Sequence, residues 1–280
     1  MKIFTKVTDL NLELDLLRQQ NKIIGFVPTM GALHDGHISL IKTCSEFNDI
    51  TVVSIFVNPT QFNNANDLKN YPRNIDKDLS ILKTTNTTIL FFPENDEMYP
   101  EKDERVFKFD NLENILEGAF RPGHFNGVAQ IVSKLFNIVK PNNAYFGQKD
   151  FQQLTIIKKL VTQLNLSINI VACETFRESD GLAMSSRNLL LSNEYRAVAP
   201  KIYKYLKDSA LKIKNNSIEE IKKYVIENIN SERLLKVEYF EIVNTETLNA
   251  VDNWDNNTPI IGCIAVFAGN IRLIDNIRYN

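Results

Sequence analysis

The sequence predicts an α/β fold: a parallel sheet covered by helices, followed by a smaller α+β region. Short apolar segments rich in β-branched residues alternate with longer stretches of helical periodicity, which is typical of parallel strands joined by helical crossovers. The apolar segments are residues 23–27, 51–57, 88–92 and 168–172. Polar, glycine-containing sequences follow several strands, and open α/β sheets bind ligands at that edge.

Helices are predicted between these strands. Residues 76–82 and 127–139 have apolar side chains at helical spacing, which indicates helices packed on the sheet. The Asn-rich segments 63–70 and 252–258 are predicted to be loops.

The character of the chain changes after about residue 176. Residues 194–230 are helical in pattern, and strands are predicted after them at 236–243, 260–268 and, beyond a Gly-Asn turn, 270–274. Helices followed by adjacent strands indicate a small α+β domain. We therefore expect domains at residues 1–176 and 177–280.

Composition argues against several classes of protein. The 280 residues are 44% hydrophobic and carry a formal net charge of -2, so the chain can bury a substantial core and has no general attraction for nucleic acid. No segment has the length and apolarity of a signal peptide or a membrane span, and we expect a cytoplasmic protein with no membrane partner. Cys44, Cys173 and Cys263 are scattered without a CxxC pair, which favours reduced thiols over disulfides or structural zinc.

The most informative motif is PTMGALHDGH at residues 28–37, between the strand 23–27 and a predicted helix. A strand, a glycine-containing turn and a helix N-terminus present unpaired N–H groups and a partial positive charge, which suits a phosphate. His34 and His37 lie three residues apart on one helical face, where imidazolium groups donate hydrogen bonds to phosphate oxygens. A solvated turn and part of a metal site are the alternatives.

Two further segments suit a small polar substrate. Asn58 and Gln61 follow the strand 51–57, and their amides donate and accept hydrogen bonds simultaneously, as a hydroxy acid requires. His124 stands with Arg121 and two glycines ahead of a predicted helix, an arrangement suited to anions. The alternatives are an Asn-Pro turn and a surface or packing histidine.

Two later segments supply cations and hydroxyl groups. Gly147 ends an aromatic strand, and Lys149 and Asp150 follow it as partners for phosphate and for a ribose hydroxyl or metal-bound water. Gln153 lies on nearly the same helical face as Asp150. The SSR sequence at 185–187 offers hydroxyls and a guanidinium to departing phosphates. The alternatives are an ordinary helix N-terminus and a serine cap.

Taken together and in this order, these segments resemble the pantothenate synthetase (pantoate–β-alanine ligase) family over essentially the whole chain. The resemblance rests on PTMGALHDGH, FVNPTQF, YPRN, RPGHFNGV, FGQKDFQQL and DGLAMSSRN. It implies a homodimer in the HIGH-type nucleotidyltransferase superfamily, with a Rossmann-like N-terminal domain and a C-terminal α+β lid. It also implies condensation of (R)-pantoate with β-alanine to pantothenate, AMP and pyrophosphate through pantoyl adenylate, with ATP as substrate, Mg2+ as its companion and no nucleic acid partner.

Carried over by position, the resemblance implies catalytic roles for His34, His37, Lys149 and Arg187, with His37 the proton donor. It implies that Gln61, Gln153, His124 and Asn58 bind pantoate and that Gln61 also binds β-alanine. The implied ATP contacts are Met30, Gly31, Ala32, Leu33, His34, Asp35, Gly36, His37, Gly147, Gln148, Lys149, Asp150, Phe176, Met184, Ser185, Ser186 and Arg187.

Two positions depart from the family pattern. Phe176 stands where the family commonly has a smaller aliphatic residue, and Lys77 separates Asp76 from Asp78, so no protein ligand is assigned to Mg2+.

Two other functions remain alternatives: a different adenylate-forming enzyme of the superfamily, and a regulatory nucleotide-binding module. The paired glutamines weigh against the first, and the intact histidines and cations weigh against the second.

Overall fold

The computed structural model describes residues 1–255 and 257–280 and divides the chain into two compact units. Unit 1 consists of Met1–Glu113, Gly118–Gln148 and Gln153–Glu174. Unit 2 consists of Asn114–Glu117, Lys149–Gln152 and Thr175–Asn280. The domain boundary at residue 176 stays a prediction.

Unit 1 contains a sheet of six parallel strands. The strands are β1 (Lys2–Phe4), β2 (Ile24–Thr29), β3 (Ile50–Ile55), β4 (Ile89–Phe91), β5 (Asn143–Gly147) and β6 (Asn169–Cys173), and their order is β1-β4-β3-β2-β5-β6. The predicted parallel sheet and its four apolar strands are confirmed. Strand β1 was not predicted, because three residues that begin with a lysine contain no apolar run.

Helices connect and cover the strands. They are α1 (Val7–Gln19), α2 (Asp35–Phe47), α3 (Ala65–Asn70), α4 (Ile75–Leu82), α5 (Asn95–Met98), α6 (Glu117–Phe120), α7 (His124–Val139), α8 (Phe151–Gln163), α9 (Asn193–Val198), α10 (Lys201–Ala210) and α11 (Ile218–Ser231). The prediction of a loop at 63–70 is wrong because Asn64 caps α3: its side chain accepts a hydrogen bond from the N–H of Asn66 at 2.8 Å.

The strand order places a switch point beside β2. The chain runs from β2 through β3 to β4 on one side, whereas β5 and β6 lie on the other. Phe26, Val53 and Leu90 fill the core of this sheet with no exposed surface. Ligands of open α/β sheets bind where the strand order reverses, so the loops that follow β2 and β5 are expected to carry the site.

Unit 2 is an α+β structure, as predicted. Its strands are β7 (Leu235–Asn244), β8 (Ile260–Ala268) and β9 (Ile271–Arg278), in an antiparallel sheet of that order. Leu206 of α10 and Val225 of α11 belong to its buried core, together with Ile264 of β8. The predicted loop 252–258 includes residue 256, which lies outside the described residues. Among the described residues, none of the helices combines the length and the apolarity needed to cross a membrane.

Candidate active site

The turn after β2 has the geometry of an anion-binding loop, and the anion that its N–H groups bind is the carboxylate of Asp78. Gly31 and Ala32 are consecutive residues with φ angles of 79° and 50°, and α2 begins at Asp35 shortly afterwards. A turn of this kind gathers successive backbone N–H groups into one concavity. The left-handed conformation costs a residue such as Ala32 about 1–2 kcal/mol, so tertiary contacts must hold the turn.

Asp78 of α4 provides those contacts. Its Oδ2 accepts the N–H of Ala32 at 2.9 Å, and its Oδ1 accepts the N–H of Leu33 at 2.7 Å. Burial raises the pKa of the Asp78 carboxyl, and the two backbone hydrogen bonds oppose that rise. Asp78 was assigned no role from the sequence. The available signal was its position at helical spacing between the apolar Ile75 and Leu82, on the face that α4 buries.

The two histidines lie against each other at the start of α2. Their ring centroids are 4.0 Å apart, and the N–H of His34 donates to Nδ1 of His37 at 3.3 Å. His34 is the N-cap and His37 the third helical residue. Because this hydrogen bond uses the Nδ1 lone pair, a neutral His37 ring carries its proton on Nε2. That atom is the one able to donate a proton.

Met30, Asn58, Gln61 and His124 form one cluster in unit 1, so the structure brings together four residues that were selected from the sequence. Gln61 Nε2 donates to Met30 Sδ at 3.0 Å, and Asn58 Nδ2 donates to Gln61 Oε1 at 3.3 Å. His124 Nδ1 lies 2.8 Å from the carbonyl oxygen of Gln61. Gln61 is 8% exposed, so both its amide and its backbone are tightly held.

Asn58 supports Gln61, and the nitrogen and the oxygen of its side-chain amide both make hydrogen bonds within the protein. Its Nδ2 also donates to the carbonyl oxygen of Gly127 at 3.0 Å, and its Oδ1 accepts from the Tyr99 hydroxyl at 2.7 Å and from Thr60 Oγ1 at 3.2 Å. These protein contacts fix the turn at Pro59–Gln61. A direct contact between Asn58 and pantoate stays a prediction.

Gly127 allows α7 to approach this turn closely. A Cβ atom at Gly127 would lie 2.4 Å from the carbonyl oxygen of Thr60 and 2.7 Å from Cα of Gln61. Both neighbours are backbone atoms, which cannot move aside as a flexible side chain does. The absence of a side chain at Gly127 therefore sets the position of Gln61.

The end of β5 presents an open glycine. A Cβ atom at Gly147 would meet no atom within 4 Å, so packing within the protein does not require glycine there. Gln148 follows Gly147, and Gln153 lies half-buried in the first turn of α8. Open space above a glycine backbone suits the close approach of a ligand.

In unit 2, Lys149 is held at both its side chain and its backbone. Lys149 Nζ donates to the carbonyl oxygen of Met184 at 3.2 Å, and Asn276 Nδ2 donates to the carbonyl oxygen of Lys149 at 3.0 Å. The structure thus brings Lys149 against the predicted nucleotide segment 184–187. Asp150 follows Lys149 at the end of a short 3-10 turn.

A buried ion pair secures the segment between β6 and the SSR sequence. The Arg177 guanidinium donates to both carboxylate oxygens of Asp275 at 2.7 and 2.9 Å and lies 3.3 Å from the centroid of the Tyr203 ring. Burial raises the pKa of Asp275, and the Arg177 cation opposes that rise. Sequence reasoning missed this pair, since its members lie 98 residues apart.

The SSR sequence forms a capped helical turn. Ser185 is the N-cap of the 3-10 helix Ser186–Leu190, and its Oγ accepts the N–H of Arg187 at 3.2 Å. The serine-cap alternative therefore describes Ser185 correctly. Phe176 is 41% exposed, and its carbonyl oxygen accepts the N–H of Met184 at 2.9 Å.

A cavity of about 490 Å³ opens beside the glycine turn, wholly within unit 1. Met30, Gly31 and Asp78 line one part of it, and Phe56 and Phe92 line another. Among residues 1–255 and 257–280, no group of three or more His, Cys, Asp or Glu side chains is arranged to hold a metal ion. This result leaves Mg2+ without an assigned protein ligand.

Comparisons with known proteins show which family the chain resembles. The chain matches the family model described as Pantoate-beta-alanine ligase over residues 2–278. It is 52% identical over 279 residues to the pantothenate synthetase of Bacteroides fragilis strain YCH46, covering 100% of this chain and 99% of that protein.

Solved structures show the same similarity. The crystal structure of pantothenate synthetase from Thermus thermophilus has a TM-score of 0.93 and 38% identity, covering 100% of this chain and 99% of that one. The pantoate-beta-alanine ligase of Francisella tularensis, complexed with beta-gamma ATP and beta-alanine, has a TM-score of 0.84 and 39% identity, with coverages of 100% and 98%.

Proposed function

The chain belongs to the pantoate-beta-alanine ligase family, and from that premise we propose how its residues carry out the reaction. The protein is a ligase of pantothenate biosynthesis. It condenses (R)-pantoate with β-alanine at the expense of ATP and forms pantothenate, AMP and pyrophosphate. The observation that carries this assignment at the level of residues is the cluster of Met30, Gln61, Asn58 and His124 directly beside the glycine turn.

In the first step, a carboxylate oxygen of pantoate attacks the α-phosphorus of ATP. The bond from that phosphorus to the bridging oxygen breaks, and pyrophosphate leaves with the electron pair. We propose that Met30–His37, Gly147–Asp150, Phe176 and Met184–Arg187 bind ATP. In this proposal His37 donates from Nε2 to the departing phosphates, while His34, Lys149 and Arg187 stabilise the negative charge that develops.

In the second step, the amine of β-alanine attacks the acyl carbon of pantoyl adenylate. The carbon–oxygen bond to AMP breaks, AMP leaves with the electron pair, and the proton of the amine passes to water. We propose that Gln61, Gln153, His124 and Asn58 bind pantoate and that Gln61 also orients β-alanine. Asn58 and His124 in addition hold Gln61 in place. No residue of the protein acts as a nucleophile, so catalysis rests on positioning and electrostatics.

Mg2+ is proposed only as the companion of ATP, bound by phosphate oxygens and water. No step above is assigned to it. A homodimer, a cytoplasmic location and a C-terminal lid are further proposals, supported by the family resemblance.

An isotope experiment tests the two-step route. Pantoate labelled with oxygen-18 in its carboxylate is incubated with the protein, ATP, Mg2+ and β-alanine, and AMP is analysed by mass spectrometry. The proposal predicts one labelled oxygen in each AMP, since the attacking oxygen stays on phosphorus. Unlabelled AMP, or ADP in its place, would contradict it. Formation of ADP would mean that pantoate attacks the terminal phosphorus of ATP instead of the α-phosphorus.

A further inference from the structure

Asp78 is a buried carboxylate that the reaction scheme does not use. It lies on α4, is 2% exposed, and directs both oxygens at the turn between β2 and α2. A carboxylate that accepts one backbone N–H on each oxygen constrains the position and the rotation of the peptide groups concerned. Asp78 therefore fixes the backbone of residues 31–33.

The turn is shaped around this side chain. Gly31 and Ala32 have positive φ angles, and the N–H groups of Ala32 and Leu33 converge on the carboxylate and not on open solvent. A Cβ atom at Gly31 would lie 2.9 Å from Asp78 Oδ2. The glycine at this position thus makes room for the carboxylate, in addition to permitting the backbone angle.

The anchored residues lie between two parts of the proposed site. Met30, on one side, contacts the Gln61 amide at 3.0 Å. His34, on the other, is the N-cap of α2 and bonds to His37. One carboxylate therefore controls where the pantoate cluster and the histidine pair stand relative to each other, since only three residues separate Met30 from His34.

We propose that Asp78 is a positioning residue for adenylate formation: it fixes the turn so that Met30 and the two histidines are placed for the attack of pantoate on ATP. The inference rests on the proposed function. It assigns Asp78 no contact with substrate. The structure favours positioning over a role as a metal ligand, because each carboxylate oxygen already accepts a backbone hydrogen bond.

The test compares D78N with D76N. Both residues lie in α4, but Asp76 is exposed. In D78N the amide presents an NH2 group to one of the two backbone N–H groups, so one hydrogen bond is replaced by a repulsive contact. Two half-reactions are measured: pantoate-dependent exchange of labelled pyrophosphate into ATP, and formation of pantothenate from supplied pantoyl adenylate and β-alanine.

A displacement of about 1 Å in a reacting group lowers the rate by about 100-fold. We expect D78N to lose pyrophosphate exchange by about that factor relative to D76N and to keep the second half-reaction within about fivefold. Exchange within threefold of D76N overturns the proposal, and so does an equal loss of both half-reactions, which indicates a general structural defect.

If D78N does not fold, G31A replaces it, because its Cβ displaces the carboxylate while the charge remains. The same selective loss of exchange is then expected, and an equal loss of both reactions overturns the proposal.

If the wild type binds ATP but catalyses no exchange, the proposed function fails. The affinity of D78N for ATP, compared with that of D76N, then decides the role of Asp78: a tenfold weakening supports it and an unchanged affinity overturns it.

Discussion

Replacing Gly127 by alanine tests whether the close approach of α7 positions Gln61. Glycine to alanine inside a helix ordinarily stabilises a protein by about 1 kcal/mol. Here the new Cβ lies 2.4 Å from the Thr60 oxygen and 2.7 Å from Cα of Gln61, whereas comfortable contact begins near 3.5 Å. The helix and the turn must therefore separate by about 1 Å.

Two free energies can be compared. Overpacking a well-filled site costs about 1–3 kcal/mol, so after the gain in helix propensity the net loss of stability is between about 0 and 2 kcal/mol. A displacement of about 1 Å at Gln61 lowers the rate by about 100-fold, which corresponds to about 2.7 kcal/mol in the barrier. The loss of activity is therefore expected to exceed the loss of stability.

The assay measures kcat and KM for pantoate together with the free energy of unfolding in urea. I89V is the matched control, because Ile89 is fully buried in β4 of the same unit and Ile to Val costs about 0.5–1.5 kcal/mol without touching the turn. We expect I89V to keep wild-type kinetics. A G127A protein that is more stable than the wild type and has unchanged kcat/KM for pantoate would refute the reasoning.

The other predictions concern charge and the nucleotide segments. G147A is expected to leave the melting temperature nearly unchanged, because its Cβ meets no atom within 4 Å, and to raise KM for ATP; unchanged ATP kinetics would argue against a nucleotide site there. R177M leaves the buried Asp275 unpaired and is expected to lower the free energy of unfolding in urea by about 3–5 kcal/mol, with substantial recovery when D275N is added. Arg105 lowers the pKa of Asp103 to about 2, so this carboxylate stabilises the fold above its unfolded pKa of about 3.9 and loses that effect as the pH falls toward 2. The stability difference between wild type and D103N, measured in urea, is thus expected to shrink from pH 5 to pH 2, and a constant difference would contradict it.

The features that could be predicted from the sequence are those that depend on residues close together along the chain. The apolar runs indicated β2, β3, β4 and β6, and the glycine turn before α2 was inferred from the order of strand, glycine and histidine. Two short elements were not predicted. The three residues of β1 have no periodicity, and α3 has the polar composition of a loop but forms a helix that Asn64 caps.

Tertiary contacts of the site could not be read from one sequence. Asp78 reaches Leu33 across 45 residues, and Asn276 reaches Lys149 across 127 residues. Asp78 lies on the apolar face of α4, which was the available signal for a buried partner, but the sequence analysis assigned it no role and nothing in the sequence identifies that partner. The close approach of Gly127 to Thr60 likewise depends on how α7 packs.

Pyrophosphate exchange in the absence of β-alanine tests the central claim most directly. The wild-type protein is incubated with ATP, Mg2+ and labelled pyrophosphate, with and without pantoate, and label in ATP is followed over time. The account predicts exchange that requires pantoate but not β-alanine, because the adenylate forms first and reversibly. Folded protein that makes pantothenate but shows exchange only when β-alanine is present would contradict a separate adenylation step.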